Sequence, residues 1–125
     1  MLDGANVYAT IPAQDLQRAR TFYADKLGLQ PAEEGPDGLR YRCGDGGFLL
    51  FASSGAASGT HTQLGWDVDD IEAAVAALRD RGVSFEEYDL PGFKTVDGIA
   101  EIDGERAAWF KDSEGNLLAI GERIG

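Results

Sequence analysis

An internal repeat is the feature that most constrains how this chain can fold. Residues 7–28 have the pattern of a strand, a tight turn and an amphipathic helix, and residues 63–82 follow the same plan. An aspartate and an aliphatic residue open each predicted helix, and a glycine closes it. Two copies predict a duplicated domain rather than a solenoid. The repeated signals are Asp15-Leu16 and Gly28 in the first copy, and Asp70-Ile71 and Gly82 in the second.

Each copy continues into further short strands, which are separated by turn residues. One helix among several strands in each copy predicts an α+β fold of two βαβββ modules, with the helices on one face of each sheet. We expect a single domain over 1–125, with module one at about 4–53 and module two at about 61–123. The predicted strands are 5–11 (ended by Pro12), 30–34, 39–43, 48–52, 62–68, 84–88, 105–110 and 117–121. The first predicted helix begins after the capping Asp15 and is closed by Gly28, and the second spans 70–81. The longest predicted loop is 89–99.

Composition and charge exclude several kinds of partner. The chain has 22 acidic and 11 basic residues and a net charge of −11, whereas nucleic acid and anionic membrane surfaces require basic patches. This charge is compatible with a cationic small molecule. No apolar run approaches the ~18 residues of a membrane span, and no secretory signal is visible at the N-terminus. The single Cys43 excludes an internal disulfide and fits a reducing compartment, so we expect a cytoplasmic protein.

Several short motifs in a fixed order carry a resemblance to a known family. Asp15-Leu16, Phe22-Tyr23 and Leu27-Gly28 are followed by Val-Asp-Asp-Ile at 68–71 and by Ala-Trp-Phe-Lys-Asp-Ser-Glu-Gly-Asn-Leu at 108–117. In this order and spacing the chain resembles the vicinal oxygen chelate superfamily, which includes glyoxalase I, extradiol dioxygenases, and fosfomycin and bleomycin resistance proteins. The resemblance implies paired modules that form a cleft between curved mixed sheets. It also implies that metal ligands, where present, come from the first and last strand of each module.

The residues at those ligand positions are unsuited to a metal. By the resemblance the four positions fall on Tyr8, Phe51, Gln63 and Ala119. Divalent metals in such sites prefer imidazole and carboxylate ligands, usually three or more. One amide and one neutral phenol do not supply them, so we expect no metal and no other cofactor. His61 lies two residues before Gln63 and would replace it after a register error, but it would then be the sole histidine or carboxylate ligand.

Without a metal, the predicted cleft is a pocket with apolar walls and a few hydrogen-bonding groups, which is typical of a small-molecule site. Thr10 shares a pleat face with Tyr8, and His61 shares one with Gln63. Phe93 lies in the long loop, either as a cover over the ligand or as an exposed connector. Trp66 is predicted to face the core, whereas the side of Trp109 is left open. The candidate ligand-binding residues are Tyr8, Thr10, Phe51, His61, Gln63, Phe93, Trp109 and Ala119.

Two classes of function fit this pattern. The first is a metal-free protein that sequesters a small organic molecule, similar to bleomycin resistance proteins, whose clefts are built from both subunits of a homodimer. The second is an enzyme: a metal-independent isomerase or lyase that uses His61, Tyr8 or Asp67, or a metalloenzyme such as a dioxygenase whose ligands lie elsewhere. A domain that binds another protein is a third class, to which no sequence feature points.

Overall fold

A computed structural model describes residues 1–123, in which two helices and ten strands follow a short 3-10 turn. The first half contains β1 (Ala9–Ala13), α1 (Leu16–Leu27), β2 (Glu33–Gly35), β3 (Gly38–Cys43) and β4 (Gly46–Ala52). The second half contains β5 (Thr62–Asp67), α2 (Ile71–Asp80), β6 (Asp89–Leu90), β7 (Phe93–Val96), β8 (Ile99–Ile102), β9 (Glu105–Lys111) and β10 (Leu117–Arg123).

The strands form two mixed sheets built on one scheme. The first sheet has the order β1-β4-β3-β2 and the second the order β5-β10-β9-β8-β7-β6. In each sheet the strand before the helix runs parallel to the last strand of its module, and the other neighbouring strands of the sheet pair antiparallel. This repeated topology confirms the predicted α+β fold of two modules. The second module carries two strands more than the βαβββ pattern.

The helix ends follow the predicted chemistry. A side-chain oxygen of Asp15 accepts a hydrogen bond from the backbone N–H of Arg18 at 3.0 Å, and Asp70 accepts one from Ala73 at 3.1 Å. These bonds satisfy N–H groups that have no partner within the first helical turn. Gly28 ends α1 in the left-handed conformation, at φ +70°. The helix α2 ends at Asp80, one residue earlier than predicted.

Strand β1 differs from its prediction because it starts at Ala9 and runs through Pro12 to Ala13. Pro12 was expected to end the strand. However, β1 is an edge strand that pairs only with β4, and an edge tolerates a residue without an N–H group. The carbonyl of Pro12 points away from β4 and accepts a hydrogen bond from Asn116 Nδ2 at 2.9 Å.

The predicted strand at 84–88 and the predicted loop at 89–99 are both wrong. Residues 84–88 form no strand; they follow β9 through an isolated bridge between Phe85 and Phe110 and a hydrogen bond from Glu86 N to Trp109 O. The region 89–99 contains the hairpin of β6 and β7, which turns at Gly92 with φ +75°. Strand β8 then occupies the edge of β9 that a strand over 84–88 would have taken.

Both modules contribute to one hydrophobic core on the helix side of the sheets. Tyr23 of α1 packs against Tyr41 and Phe48 with tilted ring planes, and Phe48 meets Trp66 of the second module edge to face. Trp66 therefore faces the core, as predicted. Neither helix described here has the length and apolar character needed to cross a membrane.

Candidate functional site

The indole of Trp109 lies on the face of the second sheet that points away from the helices. In β9 its neighbours Ala108 and Phe110 are buried in the core, and side chains alternate between the two faces of a strand. Trp109 is paired in register with Ala119 of β10, one of the predicted cleft residues. The structure thus settles the orientation that the sequence left open.

Three aromatic rings meet on this face. Ring centroids are separated by 5.2 Å for Phe93 and Trp109, 5.4 Å for Tyr88 and Phe93, and 5.8 Å for Tyr88 and Trp109. The planes are inclined by 49° to 83°: Tyr88 meets the other two rings edge to face, and Phe93 is tilted against Trp109, so no pair is stacked. No gap between them would admit a cation, and a ligand must therefore contact their outer faces and edges.

The rings line an open hollow of about 340 Å³, here called the aromatic hollow. This volume lies in the range of small-molecule sites. Among residues 1–123, no lysine, arginine, aspartate or glutamate contributes to its wall. The remaining lining residues are Thr60, His61, Thr62, Leu90 and Leu117.

The backbone around the rings is held by specific bonds. Thr95 is buried, and its hydroxyl both accepts from the N–H of Tyr88 at 2.8 Å and donates to the carbonyl of Tyr88 at 3.3 Å. The N–H of Thr95 also donates to Tyr88 O at 2.9 Å. On the other side the N–H of Glu86 donates to Trp109 O at 2.8 Å. Tyr88 is thereby fixed between β7 and β9, so the aromatic surface exists before a ligand arrives.

Polar groups lie at one end of the aromatic hollow. The indole Nε1 of Trp109 donates a hydrogen bond to Thr62 Oγ1 at 3.2 Å. His61 is exposed, and its Nδ1 lies 3.3 Å from the hydroxyl of Ser58, which also bonds Thr60. Burial raises the pKa of the Tyr88 phenol, and the charge of Glu86 raises it further, so this ring stays neutral at physiological pH. The site thus offers hydroxyls and one imidazole beside a neutral aromatic surface.

A bulge in β5 changes the predicted register of Gln63. Leu117 pairs with Thr62 and Leu118 pairs with Leu64, so Gln63 is an extra residue opposite the step between them. Strict alternation between His61 and Gln63 is lost, and Thr62 rather than Gln63 reaches Trp109. The Oε1 atom of Gln63 is buried and has no hydrogen-bond partner within residues 1–123.

The candidate residues of the first module lie apart from the aromatic hollow. Tyr8 is half exposed, and the guanidinium of Arg40 sits 4.8 Å from its ring centroid. Together they line a separate, more polar hollow of about 630 Å³. Thr10 is exposed opposite Leu49, while Phe51 is partly buried beside Pro12. Of the eight predicted residues, the aromatic hollow brings together His61, Phe93 and Trp109.

The residues at the four ligand positions do not fit a divalent metal. Phe51 and Ala119 carry no donor atom, and Tyr8 lies under a cation, which a metal ion would repel. Only the amide of Gln63 could coordinate, and a stable site needs three or more ligands. Within residues 1–123 no three His, Cys, Asp or Glu side chains are grouped to hold a metal ion.

Sequence reasoning missed Thr60, Thr62, Tyr88 and Leu90, which also line the aromatic hollow. The Pro91-Gly92 pair was a usable signal, since this dipeptide marks a tight turn. A turn there pairs Leu90 with Phe93 and so brings Tyr88 toward the ring of Phe93. No comparable signal exists for Thr62, whose position depends on the bulge.

Comparisons with known proteins agree with this architecture. The model of the Glyoxalase/Bleomycin resistance protein/Dioxygenase superfamily matches residues 6–120. No match is found among curated protein sequences.

Similar solved structures include three that cover nearly all of the chain. UcmS2 is 20% identical, with a TM-score of 0.73, over 94% of this chain and 97% of its own. A glyoxalase family protein from Enterococcus faecalis is 23% identical, with a TM-score of 0.70, over 98% and 100%. TnmS3, an antibiotic binding protein from Streptomyces sp. CB03234, is 21% identical, with a TM-score of 0.67, over 98% of each chain. At these identities the likeness shows the fold alone.

Proposed function

The chain belongs to the Glyoxalase/Bleomycin resistance protein/Dioxygenase superfamily, and we propose that within it this protein is a metal-free cytoplasmic binding protein that sequesters a small organic molecule. The observation that carries the proposal is the aromatic hollow, where Tyr88, Phe93 and Trp109 form a fixed surface without charged side chains. The unsuitable donors at the four ligand positions support the metal-free part. TnmS3, a protein of the same fold, is described as antibiotic binding.

The geometry favours a ligand with a flat aromatic part. Rings whose centroids are 5.2–5.8 Å apart leave no cage for a compact cation, but their outer faces can stack on a planar group. Thr62 and His61 can then hydrogen-bond substituents at its edge. The net charge of −11 favours a ligand that also carries a positive charge outside the hollow.

Binding is expected to be independent of metal and dependent on Trp109. A thermal-shift screen of planar cationic antibiotics, with bleomycin and daunorubicin among them, identifies a ligand, and isothermal titration calorimetry gives its Kd for wild type and variants. Trp109→Ala should weaken this Kd roughly 30-fold, about 2 kcal/mol, because central aromatic anchors dominate binding energy. EDTA should leave it unchanged.

The matched control is Trp66→Phe, since Trp66 lies on the helix side of the same sheet and should leave the Kd within about 2-fold. Stoichiometric zinc, nickel, manganese or iron in protein purified without added metal would contradict the proposal. So would equal losses in the two tryptophan variants.

An enzyme is the second candidate, favoured by the position of His61. Its imidazole opens onto the aromatic hollow and is hydrogen-bonded to Ser58, so it could move a proton on a bound ligand. In the same assay a sequestering protein returns its ligand chemically unchanged, and His61→Ala keeps the affinity. A product that forms with wild type and not with His61→Ala would make the protein a metal-independent isomerase or lyase.

We further propose that a second copy of the chain completes the cleft. Module-one candidates such as Tyr8 and Phe51 lie outside the aromatic hollow. Val7, at 89% exposure, and Leu90, at 58%, are among the large apolar side chains that are open to solvent. If the first module of a second copy lay over the aromatic hollow, it would bury Val7 and Leu90. It would also bring the module-one candidates next to the residues that line the aromatic hollow.

The expected result is a dimer, with twice the chain mass of 13.4 kDa in sedimentation equilibrium. Leu90→Asp and Val7→Asp should each weaken the dimer by at least about tenfold, because each buries an unpaired charge. Val96→Asp changes an equally exposed apolar residue that lines a groove beside α2, and it should remain dimeric. A monomeric wild type would disprove this arrangement.

A further inference from the structure

A second concave site lies on the helix side, where the two modules meet. It is an open hollow of about 410 Å³, here called the seam hollow. Trp66, which faces the helices, forms part of its wall, whereas the aromatic hollow lies on the opposite face. The other wall residues that matter here are Leu27, Leu29, Ala74, Ala77 and Leu78.

Small side chains keep this hollow open. Ala74 and Ala77 stand three residues apart on α2 and so lie on the same side of the helix. Across from them, α1 ends at Leu27, and the left-handed Gly28 turns the chain away. The core residues Phe110 and Ile120 form the floor. Larger residues at the alanine positions would fill the space, as side chains do in most of a protein interior.

The wall chemistry defines the class of ligand. Leu27, Leu29, Trp66 and Leu78 are only partly buried, so the hollow presents apolar surface to water. Its charged lining residues are Arg42 and Asp67, of opposite sign and both exposed, and Arg42 is already paired with Glu33 at 3.1 Å. An anionic ligand would therefore lose its hydration here without gaining a free partner, and the exposed Asp67 offers a cation only a contact that water screens.

We propose that the seam hollow is a second small-molecule site, distinct from the aromatic hollow, which takes an uncharged and mainly hydrocarbon compound about the size of two or three rings. The volume fits such a molecule. Burial of the partly exposed leucines and of one face of Trp66 supplies the driving force. The site is independent of the proposed sequestering function, because the two hollows share no lining residue.

The chain carries its own reporters for a test. It has two tryptophans, one in each hollow, so Trp109→Phe leaves Trp66 as the sole fluorophore of its kind. Its single cysteine, Cys43, is partly exposed and lines the seam hollow. The probe is N-phenyl-1-naphthylamine, which is neutral, apolar and fluorescent when removed from water.

In the Trp109→Phe protein the probe should quench Trp66 saturably, with one molecule bound per chain. It should also slow alkylation of Cys43 by N-ethylmaleimide, followed by mass spectrometry. Ala77→Glu should weaken binding at least about tenfold, because it places a charge at the apolar wall. Ala73→Glu is the matched control: it adds the same charge to an exposed alanine of α2 outside the hollow, and should leave binding within about 2-fold.

Circular dichroism verifies that both glutamate variants are folded. The proposal is overturned if the probe leaves Cys43 unprotected, or if Ala77→Glu and Ala73→Glu bind it equally. It is also overturned if the probe fails to bind and Ala77→Glu instead dissociates a dimer, since the hollow would then be filled by a second copy of the chain.

Discussion

Replacement of Asp112 by alanine is expected to lower the free energy of unfolding by about 3–5 kcal/mol. The carboxylate is buried and accepts from the Tyr23 hydroxyl at 2.7 Å, from the Glu114 N–H at 2.8 Å, and from the backbone N–H and Nδ2 of Asn116 at 3.0 and 2.9 Å. Alanine leaves these donors in the protein interior without their acceptor. Each unsatisfied buried group costs about 1–3 kcal/mol, and partial relaxation keeps the sum below the full total.

Urea unfolding monitored by circular dichroism measures this effect. Tyr23→Phe removes only one of the hydrogen bonds and should cost about 1–2 kcal/mol. Asp45→Ala removes an exposed aspartate from the turn between β3 and β4, and should change stability by less than about 0.5 kcal/mol. If Asp112→Ala proves no more harmful than Asp45→Ala, the network does not hold the modules together.

This network explains how two modules act as one body. Tyr23 belongs to α1 of the first module, whereas Asp112 and Asn116 belong to the turn between β9 and β10 of the second. Asn116 continues the chain of bonds to the carbonyl of Pro12 in β1. The turn therefore fixes where β9 and β10 lie relative to the first sheet. Because Trp109 is on β9, the same network positions the aromatic hollow.

Local signals made the helices predictable. Asp15 and Asp70 cap their helices through their own side chains, and Gly28 supplies a backbone conformation that other residues adopt only with strain. Such choices depend on a few neighbouring residues, so a sequence reveals them. The hairpin of β6 and β7 was missed because its strands are too short to show a hydrophobic period.

The candidate site was less predictable because it depends on pairing between distant strands. The residues on both sides of Trp109, Ala108 and Phe110, are apolar like the indole itself, so the local sequence does not show which of them faces the core. The side of the sheet on which Trp109 lies is decided by the packing of Phe110 in the core. The bulge at Gln63 follows from the register of β5 against β10, which no local residue reveals. This one-residue shift places Thr62, rather than Gln63, beside the indole of Trp109.

Acid is expected to remove a second interaction between the modules, the ion pair of Arg18 and Glu114. Arg18 Nε lies 2.8 Å from Glu114 Oε2, and the N–H of Asp15 donates to Glu114 Oε1 at 2.9 Å. The hydrogen bond from Arg18 is the main cause that lowers the pKa of Glu114 to about 2. The folded pKa is below the unfolded value of 4.5, so the stabilisation is complete above pH 4.5 and is lost as pH falls toward 2.

The size of this contribution is about 2 kcal/mol at pH 7, since the half-exposed Arg18 is screened by solvent. Glu114→Gln should therefore be less stable than wild type by that amount at pH 7, and the difference should shrink toward zero as pH approaches 2. Urea unfolding at several pH values measures the difference in free energy of unfolding between the two proteins. The contributions of all other carboxyl groups cancel in this difference. Glu101→Gln replaces an exposed carboxylate that has no ion pair or side-chain hydrogen bond within residues 1–123; it provides the control and should change stability at pH 7 by less than about 0.5 kcal/mol. A constant gap between wild type and Glu114→Gln across the titration would mean that the glutamate acts through packing rather than through its charge.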